Sequence, residues 1–163
     1  MRYQSHAEYT ASAIEVFEIM HDLAFQEERV DRTSTLGGTA SITDNAGGTV
    51  ITTMRAFASD VLPDYARGFV GSRLEIVESQ FWMPDEGDGT RTGRLELHIS
   101  GQPLTLRADI ALYLTDNGCA TTIQGLLRAR VPFIGRKIET AASPLIHSGA
   151  EAEAALINEW LHH

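Results

Sequence analysis

The feature that most constrains the fold is a strict alternation of apolar and polar residues in the middle of the chain. In 94–99, Leu95, Leu97 and Ile99 alternate with polar residues, and 104–114 repeats the pattern over eleven positions. Period-two alternation buries one strand face and leaves the other wet, as in an antiparallel sheet. SGQP (100–103) joins these strands, and Asn117-Gly118 predicts a tight hairpin into a further strand over 119–131.

Weaker patterns extend this sheet. Residues 2–9 predict a first strand, and the Thr-, Val- and Ile-rich segments 33–44 and 48–57 predict a hairpin around DNAGG. Residues 72–83 are typical of another strand. The chain therefore predicts a mainly antiparallel sheet of about seven strands.

Two short helices are expected after the first strand. Ser12 and Glu15 form a capping box ahead of an apolar helical face, which comprises Ala13, Val16, Phe17 and Met20. Asp22 is the expected cap of a second helix through about Arg29, whose thin stripe consists of Leu23, Gln26 and Val30. Pro63 favours the first turn of a third, short helix.

The last thirty residues predict one long helix. Pro132 ends the preceding strand and Gly135 allows a sharp entry into the helix. Its expected inner stripe has unusually small members: Ile138, Ala142, Leu145, Gly149, Ala152, Leu156 and Trp160. Pro144 is expected to kink the helix. Small residues either let the helix approach the sheet closely or leave room for something else.

Composition narrows the function classes. The formal charge is −9, from 13 basic and 22 acidic residues, which disfavours nucleic acids and electrostatic attachment to anionic membranes. No apolar run reaches the length of a membrane helix, so membrane insertion is not expected. The lone Cys119 precludes an internal disulfide, and the first residues lack a signal-peptide pattern. A single cytoplasmic domain over 1–163 is expected, as a monomer or homodimer.

Several segments resemble a known superfamily. They are ESQFW (78–82), RTGRLEL (91–97), SGQP (100–103), VPFIGRKIE (131–139) and EWL (159–161), together with Leu62-Pro63. The chain resembles the START-like, or helix-grip, superfamily of pollen-allergen and polyketide cyclase type, and within it an uncharacterised domain-of-unknown-function family. The resemblance implies an α+β fold in which a curved sheet grips the C-terminal helix over an apolar cavity. It implies no reaction and no catalytic residue.

Motifs for other chemistry are weak. No phosphate-binding glycine loop is present, and GFVGSR (68–73) predicts only a turn. The acidic loop DEGDGT (85–90) lacks the ligand spacing of a calcium loop. No histidine pair has the spacing of a helical zinc site. No cofactor, metal or catalytic residue is therefore predicted.

One strand carries the best candidate site. On 72–83, Glu78 and Gln80 share a face with Trp82, so an inward orientation places polar groups in an apolar pocket. Arg55 is a possible partner for Glu78; the alternative is a solvated Glu78 near an open end. The predicted ligand-binding residues are Arg55, Tyr65, Glu78, Gln80, Trp82, Leu97, Leu106, Leu145, His147 and Gly149.

Three hypotheses for function follow. The first is a module that binds a small apolar or amphipathic molecule, such as a lipid or polyketide-like compound, between sheet and C-terminal helix. The second is a cyclase, dehydratase or hydrolase, with Glu78 in an acid–base pair. The third is an interaction module with a filled core. For the last, the outer face offers four arginines among Glu96 and Asp109, which also fit a simple charge ladder: Arg94, Arg107, Arg128 and Arg130.

Overall fold

The computed structural model describes residues 1–163, with every side chain except that of Phe69. Seven strands and four helices follow one another along the chain, and a short 3-10 turn (Ser59–Val61) precedes the third helix. Their order is β1 (Arg2–Tyr9), α1 (Ala13–Met20), α2 (Leu23–Thr33), β2 (Gly38–Asn45), β3 (Gly48–Ala58), α3 (Asp64–Val70), β4 (Arg73–Trp82), β5 (Arg91–Ile99), β6 (Leu104–Thr115), β7 (Gly118–Ala129) and α4 (Gly135–Leu161).

The strands form one antiparallel sheet in the order β1-β7-β6-β5-β4-β3-β2. The alternation predicted for β5 and β6 is confirmed, since Leu95, Leu97 and Ile99 are buried while the residues between them face solvent. Leu97 lies opposite Leu106 in the register. This buried side of the sheet, here called the inner face, carries the core, and α4 packs across it.

The first two helices begin where the sequence predicts, and the second ends later than predicted. Ser12 and Glu15 form both hydrogen bonds of the capping box, and the Asp22 side chain caps α2. The predicted end of α2 near Arg29 is wrong, because the helix continues to Thr33 and β2 begins at Gly38 rather than at 33. The Thr33 hydroxyl donates to the Arg29 carbonyl, which stabilises this added turn.

The C-terminal helix spans 27 residues and continues through Pro144. The Gly135 N–H donates to the Val131 carbonyl, and a Cβ at Gly135 would lie 2.5 Å from the Ala129 carbonyl oxygen. The corner therefore requires glycine, as predicted. The predicted stripe is slightly misplaced, since the fully buried residues of the helix are Ala142, Ile146, Gly149, Leu156 and Ile157.

The opposite, outer face carries charges in alternating signs. Arg94 lies opposite Asp109 in the register, and Arg107 donates to Glu96 over 3.1 Å. These groups are solvent-exposed, so each pair contributes little to stability. For Arg94 and Arg107 this is the charge ladder expected from the sequence, whereas Arg128 lies opposite Thr105 and Arg130 follows the end of β7. None of the helices is long and apolar enough to cross a membrane, over the residues that the structure describes.

Candidate functional site

A buried ionic network lies between the inner face and the helices α2 and α4. Glu78 of β4 is only 6% exposed, which excludes the solvated alternative. The Arg29 Nη2 atom donates to a Glu78 carboxylate oxygen over 2.9 Å and lies 3.0 Å from a Glu153 carboxylate oxygen. Gln80 donates to the same Glu78 oxygen, and the Trp82 indole donates to Gln80. A single arginine of α2 thus connects the sheet to α4.

The second cation of the network is less completely paired. Arg55 of β3 is 2% exposed, and its Nη2 atom lies 3.8 Å from the second Glu78 oxygen. Its Nε atom has no hydrogen-bond partner among the described residues. The predicted Arg55–Glu78 pairing is present, although it is longer than the Arg29–Glu78 contact. Arg55 therefore acts on Glu78 mainly through its charge.

The two carboxylates of the network titrate in opposite directions. Burial alone would raise the pKa of Glu78, but the charges of Arg29 and Arg55 and the hydrogen bond from Gln80 outweigh it and lower the pKa to about 2. Burial raises the pKa of Glu153, and the negative charge of Glu78 raises it further, against the attraction of Arg29. Glu78 is thus the permanent anion of the pair, and Glu153 binds a proton more readily.

The helix approaches the network through its glycine. A Cβ at Gly149 would lie 2.8 Å from the Arg55 Nη1 atom. The guanidinium of Arg55 therefore occupies the space that a side chain at position 149 would need. At this point the small residue of α4 serves close approach rather than an empty space.

An aromatic pair lies beside the network. The His147 ring stacks on Tyr3 of β1 with ring centroids 4.4 Å apart. The Tyr3 hydroxyl is buried, and its pKa is raised to about 12 by burial first and by the charge of Glu78 second. His147 thus faces the sheet edge, next to the network but outside its hydrogen bonds.

The interior around the network holds two small cavities. One of about 10 Å³ touches Tyr3, Arg29, Glu78 and Glu153, and one of about 40 Å³ touches Gln80, Trp82 and Glu153. A single water needs about 10–15 Å³, so these spaces suit water rather than an organic molecule.

A larger, apolar pocket opens at the other end of α4. Its volume is about 140 Å³, and it lies between α3, the β5–β6 turn, the end of β7 and the first turns of α4. Gln102 supplies the polar side chain of its lining. The apolar lining comprises Leu62, Ala66, Val70, Ile99, Pro103, Leu104, Ala129, Val131, Ile138, Ala141 and Ala142.

The residues predicted for ligand binding therefore separate into three groups. The structure brings seven of them into the buried interior beneath α4: Arg55, Glu78, Gln80, Trp82, Leu97, Leu106 and Gly149. Leu145 and His147 lie at the partly buried edges of α4. Tyr65 of α3 is 55% exposed and sits beside the pocket residue Ala66, away from the network.

Sequence reasoning missed two members of the network. Arg29 follows Gln26 by one helical turn, and both are buried while the predicted stripe residue Leu23 is 45% exposed. Glu153 lies one turn after Gly149, inside the small-residue face of α4. The network could have been recognised from one pattern. On each of the two helices, a charged residue follows a buried position by three or four residues and therefore shares its face.

The acidic loop does not gather metal ligands. The Asp85 carboxylate accepts hydrogen bonds from the Gly87 and Gly89 N–H groups, and Asp88 accepts from Thr90. These bonds lower the pKa of both carboxyls. No cluster of three or more metal-ligating side chains occurs among the described residues.

Comparison with known proteins gives a family and a fold. A family model described as "Protein of unknown function (DUF2505)" matches residues 4–161. No curated protein matches the chain in sequence.

Solved structures with the same fold have little sequence identity to the chain. TTHA0849 from Thermus thermophilus superposes with a TM-score of 0.60 at 10% identity, covering 98% of this chain and 95% of its own. Ara h 8.0201 reaches 0.56 at 11% identity, covering 98% of each chain. The ZhuI aromatase/cyclase from Streptomyces sp. R1128 reaches 0.56 at 9% identity, covering 96% of this chain and 89% of its own. The predicted helix-grip fold is confirmed.

Proposed function

We propose that this chain, a member of the DUF2505 family, binds a small apolar or amphipathic molecule between its sheet and α4. The supporting observation is the pocket of about 140 Å³ at the N-terminal half of α4, whose lining is almost entirely apolar. An apolar cavity of about 150 Å³ can hold a benzene ring. The pocket thus suits one aromatic ring or a short stretch of alkyl chain.

The chemistry of the lining specifies the class of ligand. Aliphatic side chains with one amide recognise shape and apolar surface rather than charge. Burial of one ring, about 150 Å² of surface, gains about 4 kcal/mol before association costs. A lipid acyl chain or part of a polyketide-like ring system has this chemistry.

A larger ligand requires the pocket to widen, since drug-sized molecules occupy about 300 Å³ or more. The outer wall consists of Ala66 and Val70 of α3 with Leu62 before it. We expect α3 to move outward when such a ligand enters. The polar residues predicted from the sequence to orient the ligand, Arg55, Glu78 and Gln80, do not line this pocket. Their role stays a prediction, and it requires a ligand long enough to extend from the pocket along α4 to Gly149.

The test is a fluorescence titration with the neutral apolar probe N-phenyl-1-naphthylamine, whose phenyl ring has the size that the pocket can hold. We expect the wild type to bind the probe and Ala142→Phe, which fills the pocket from α4, to weaken binding about tenfold or more. Ala66→Phe fills it from the opposite wall and should do the same. Ala155→Phe adds the same side chain to an exposed position of α4 and serves as the matched control.

Two results would contradict the proposal. One is that the folded wild type shows no saturable binding of the probe and no thermal shift across lipid and polyketide-like compounds. The other is that both pocket variants bind the probe as tightly as the wild type. Native mass spectrometry of the purified protein, followed by extraction, would identify a ligand that co-purifies.

A second candidate function is acid–base catalysis by the carboxylates of the network. The opposite pKa directions of Glu78 and Glu153 favour it, because such divergence separates a base from an acid. It ranks second because the adjoining cavity of about 40 Å³ is too small for an organic substrate. Glu78→Gln with retained ligand binding and lost turnover would support catalysis.

A further inference from the structure

Three exposed apolar side chains lie close in the chain to residues that line the apolar pocket. Val61 and Tyr65 are the chain neighbours of the lining residues Leu62 and Ala66, and both are exposed. Phe133 lies two residues after Val131, which also lines the pocket. Three large apolar side chains thus face solvent at one end of the molecule.

Phe133 is the most unusual of the three. Its side chain is fully exposed. Its backbone has a φ of 67°, the only positive value outside glycine among the described residues. A bulky side chain is disfavoured in this left-handed region, and in this position it gains no burial to offset the strain. The conformation directs a phenyl ring into solvent beside the pocket.

The same corner concentrates positive charge in an acidic protein. The ten residues 128–137 contain four cations and no carboxylate, within a chain of net charge −9. All four are exposed: Arg128, Arg130, Arg136 and Lys137. The Arg130 N–H donates to the carbonyl of Pro103, a pocket residue, which places this segment at the mouth.

Three of these cations have no ion-pair partner in the part of the chain that the structure describes. No carboxylate of the described residues lies within 4.0 Å of Arg130, Arg136 or Lys137. Arg136 and Lys137 occupy the first turn of α4, where the helix dipole disfavours positive charge. Asp64, next to Tyr65, is paired with Arg67 over 2.6 Å. Two basic residues at a helix N-terminus without a carboxylate partner are locally unfavourable, and such local conflicts are expected at functional surfaces, where a partner compensates for them.

We propose that the pocket mouth docks on an anionic lipid bilayer, with Phe133 and Tyr65 in the interface and Arg136 and Lys137 on lipid phosphates. This rests on the proposed function and names the source of the ligand: an apolar molecule enters the pocket directly from the membrane surface. Aromatic side chains favour the boundary between water and acyl chains, and flanking basic residues favour anionic headgroups.

The net negative charge of the chain does not oppose this docking. Charges are screened over about 10 Å at 0.1 M salt, so the lipid surface responds to the residues of the mouth. Electrostatic attachment to anionic membranes is disfavoured by the total charge of the chain, but the local charge of the mouth is positive. Because basic residues and an apolar anchor act together, binding is peripheral and reversible.

The experiment is flotation of the full chain with two kinds of vesicle, phosphatidylcholine alone and phosphatidylcholine mixed with phosphatidylglycerol. We expect binding only to the mixed vesicles, weakened by salt. Phe133→Ala and the double variant Arg136→Glu/Lys137→Glu should each reduce binding about tenfold or more. Leu114→Ala, an exposed apolar residue at the opposite end of β6, and Arg94→Glu/Arg107→Glu, an equal charge change, are the matched controls.

The outcomes separate docking from ligand binding. Variants that lose flotation should still bind N-phenyl-1-naphthylamine from solution, because Phe133, Arg136 and Lys137 lie outside the pocket lining. No binding of the wild type to mixed vesicles, or equal losses in the controls, would overturn the docking proposal and leave the pocket proposal standing. Capture of an acidic protein without vesicle binding would also overturn it.

Discussion

The two halves of α4 face the same sheet and use their small residues in opposite ways. At Ala142 the short side chain borders an apolar pocket of about 140 Å³. At Gly149 the space beside the helix is filled by the guanidinium of Arg55, whose Nη1 atom lies 2.8 Å from the position that a Cβ would take. A stripe of small residues therefore does not specify a cavity, because the residues across from it decide whether the space is filled.

The same contrast holds for charge. Around the pocket the lining offers one amide, whereas around Gly149 the interior holds Arg29, Arg55, Glu78 and Glu153. Buried ion pairs often add little net stability compared with apolar residues, but the loss of one member is strongly destabilising. Substitutions in the network half of α4 should thus reduce stability strongly, and substitutions in the pocket half should reduce it little.

The largest expected effect is the loss of Glu78. Glu78→Ala leaves Arg29 and Arg55 beside a single remaining carboxylate, and we expect a loss of about 3–5 kcal/mol in the free energy of unfolding. Urea denaturation measures it. Glu96→Ala, which removes an exposed carboxylate paired with Arg107, is the control and should leave stability unchanged within error. A similar, small loss in both variants would show that the network is not structurally important.

The second effect is the pH dependence of the network. The pKa of Glu78 is lowered from 4.5 to about 2 in the folded state, so its contribution is present above pH 4.5 and is lost as the pH falls toward 2. The lowered pKa corresponds to about 3 kcal/mol. Urea unfolding at a series of pH values should show this acid loss in the wild type and a smaller one in Glu78→Gln. Equal slopes would contradict the assignment.

Glu153 should give the opposite pH dependence of stability. Its raised folded pKa means that the native state keeps a proton at pH values where the unfolded chain has released it. Its contribution is therefore present below the unfolded pKa and is lost as the pH rises through the folded pKa. Glu153→Gln should remove that loss above pH 4.5, the ordinary pKa of a glutamate, measured in the same titration.

A smaller effect distinguishes two helical glycines. Gly149→Ala places a methyl group against Arg55, and we expect a net destabilisation of about 1 kcal/mol after the gain in helix propensity. Gly68→Ala of α3 meets nothing within 4 Å and should stabilise the protein by up to about 1 kcal/mol. Thermal unfolding compares the two. A stabilising Gly149→Ala would show that Arg55 moves away at no cost.

The smallest effect concerns core alanines. Ala142→Leu extends into the pocket and should change stability by less than about 1 kcal/mol, because there is space for the added atoms. Ala13→Leu, at a buried position of α1 outside the pocket lining, should cost about 1–3 kcal/mol from overpacking. Equal costs would mean that the pocket closes in solution.

The fold could be predicted from the sequence because its main determinants are local. The alternation in β5 and β6, the capping box at Ser12 and the Gly135 corner each depend on neighbouring residues. The predicted end of α2 was wrong because Thr33 and Thr35 have strand propensity, while the Thr33 and Ser34 hydroxyls donate back to the Arg29 and Val30 carbonyls at the end of the helix. Such competition is decided by tertiary context.

The candidate site was only partly predictable. The period of β4 placed Glu78, Gln80 and Trp82 on one face but did not decide whether that face points inward, and Arg55 followed from strand adjacency as one possible partner. Arg29 and Glu153 reach the same point from helices, at positions 49 and 75 residues away from Glu78 in the chain. The pocket lining comes from four separate segments, so no single pattern in the sequence indicates it.

The central claim is that the space beneath α4 is an apolar pocket at Ala142 and a filled ionic network at Gly149. It is tested most directly by diffraction from crystals held under xenon, which enters dry apolar cavities. We predict a xenon atom between Ala66, Ile99 and Ala142 in the wild type, lost in Ala142→Phe, and no xenon beside Glu78 or Glu153. Xenon next to the carboxylates, or an empty pocket at Ala142, would contradict the account.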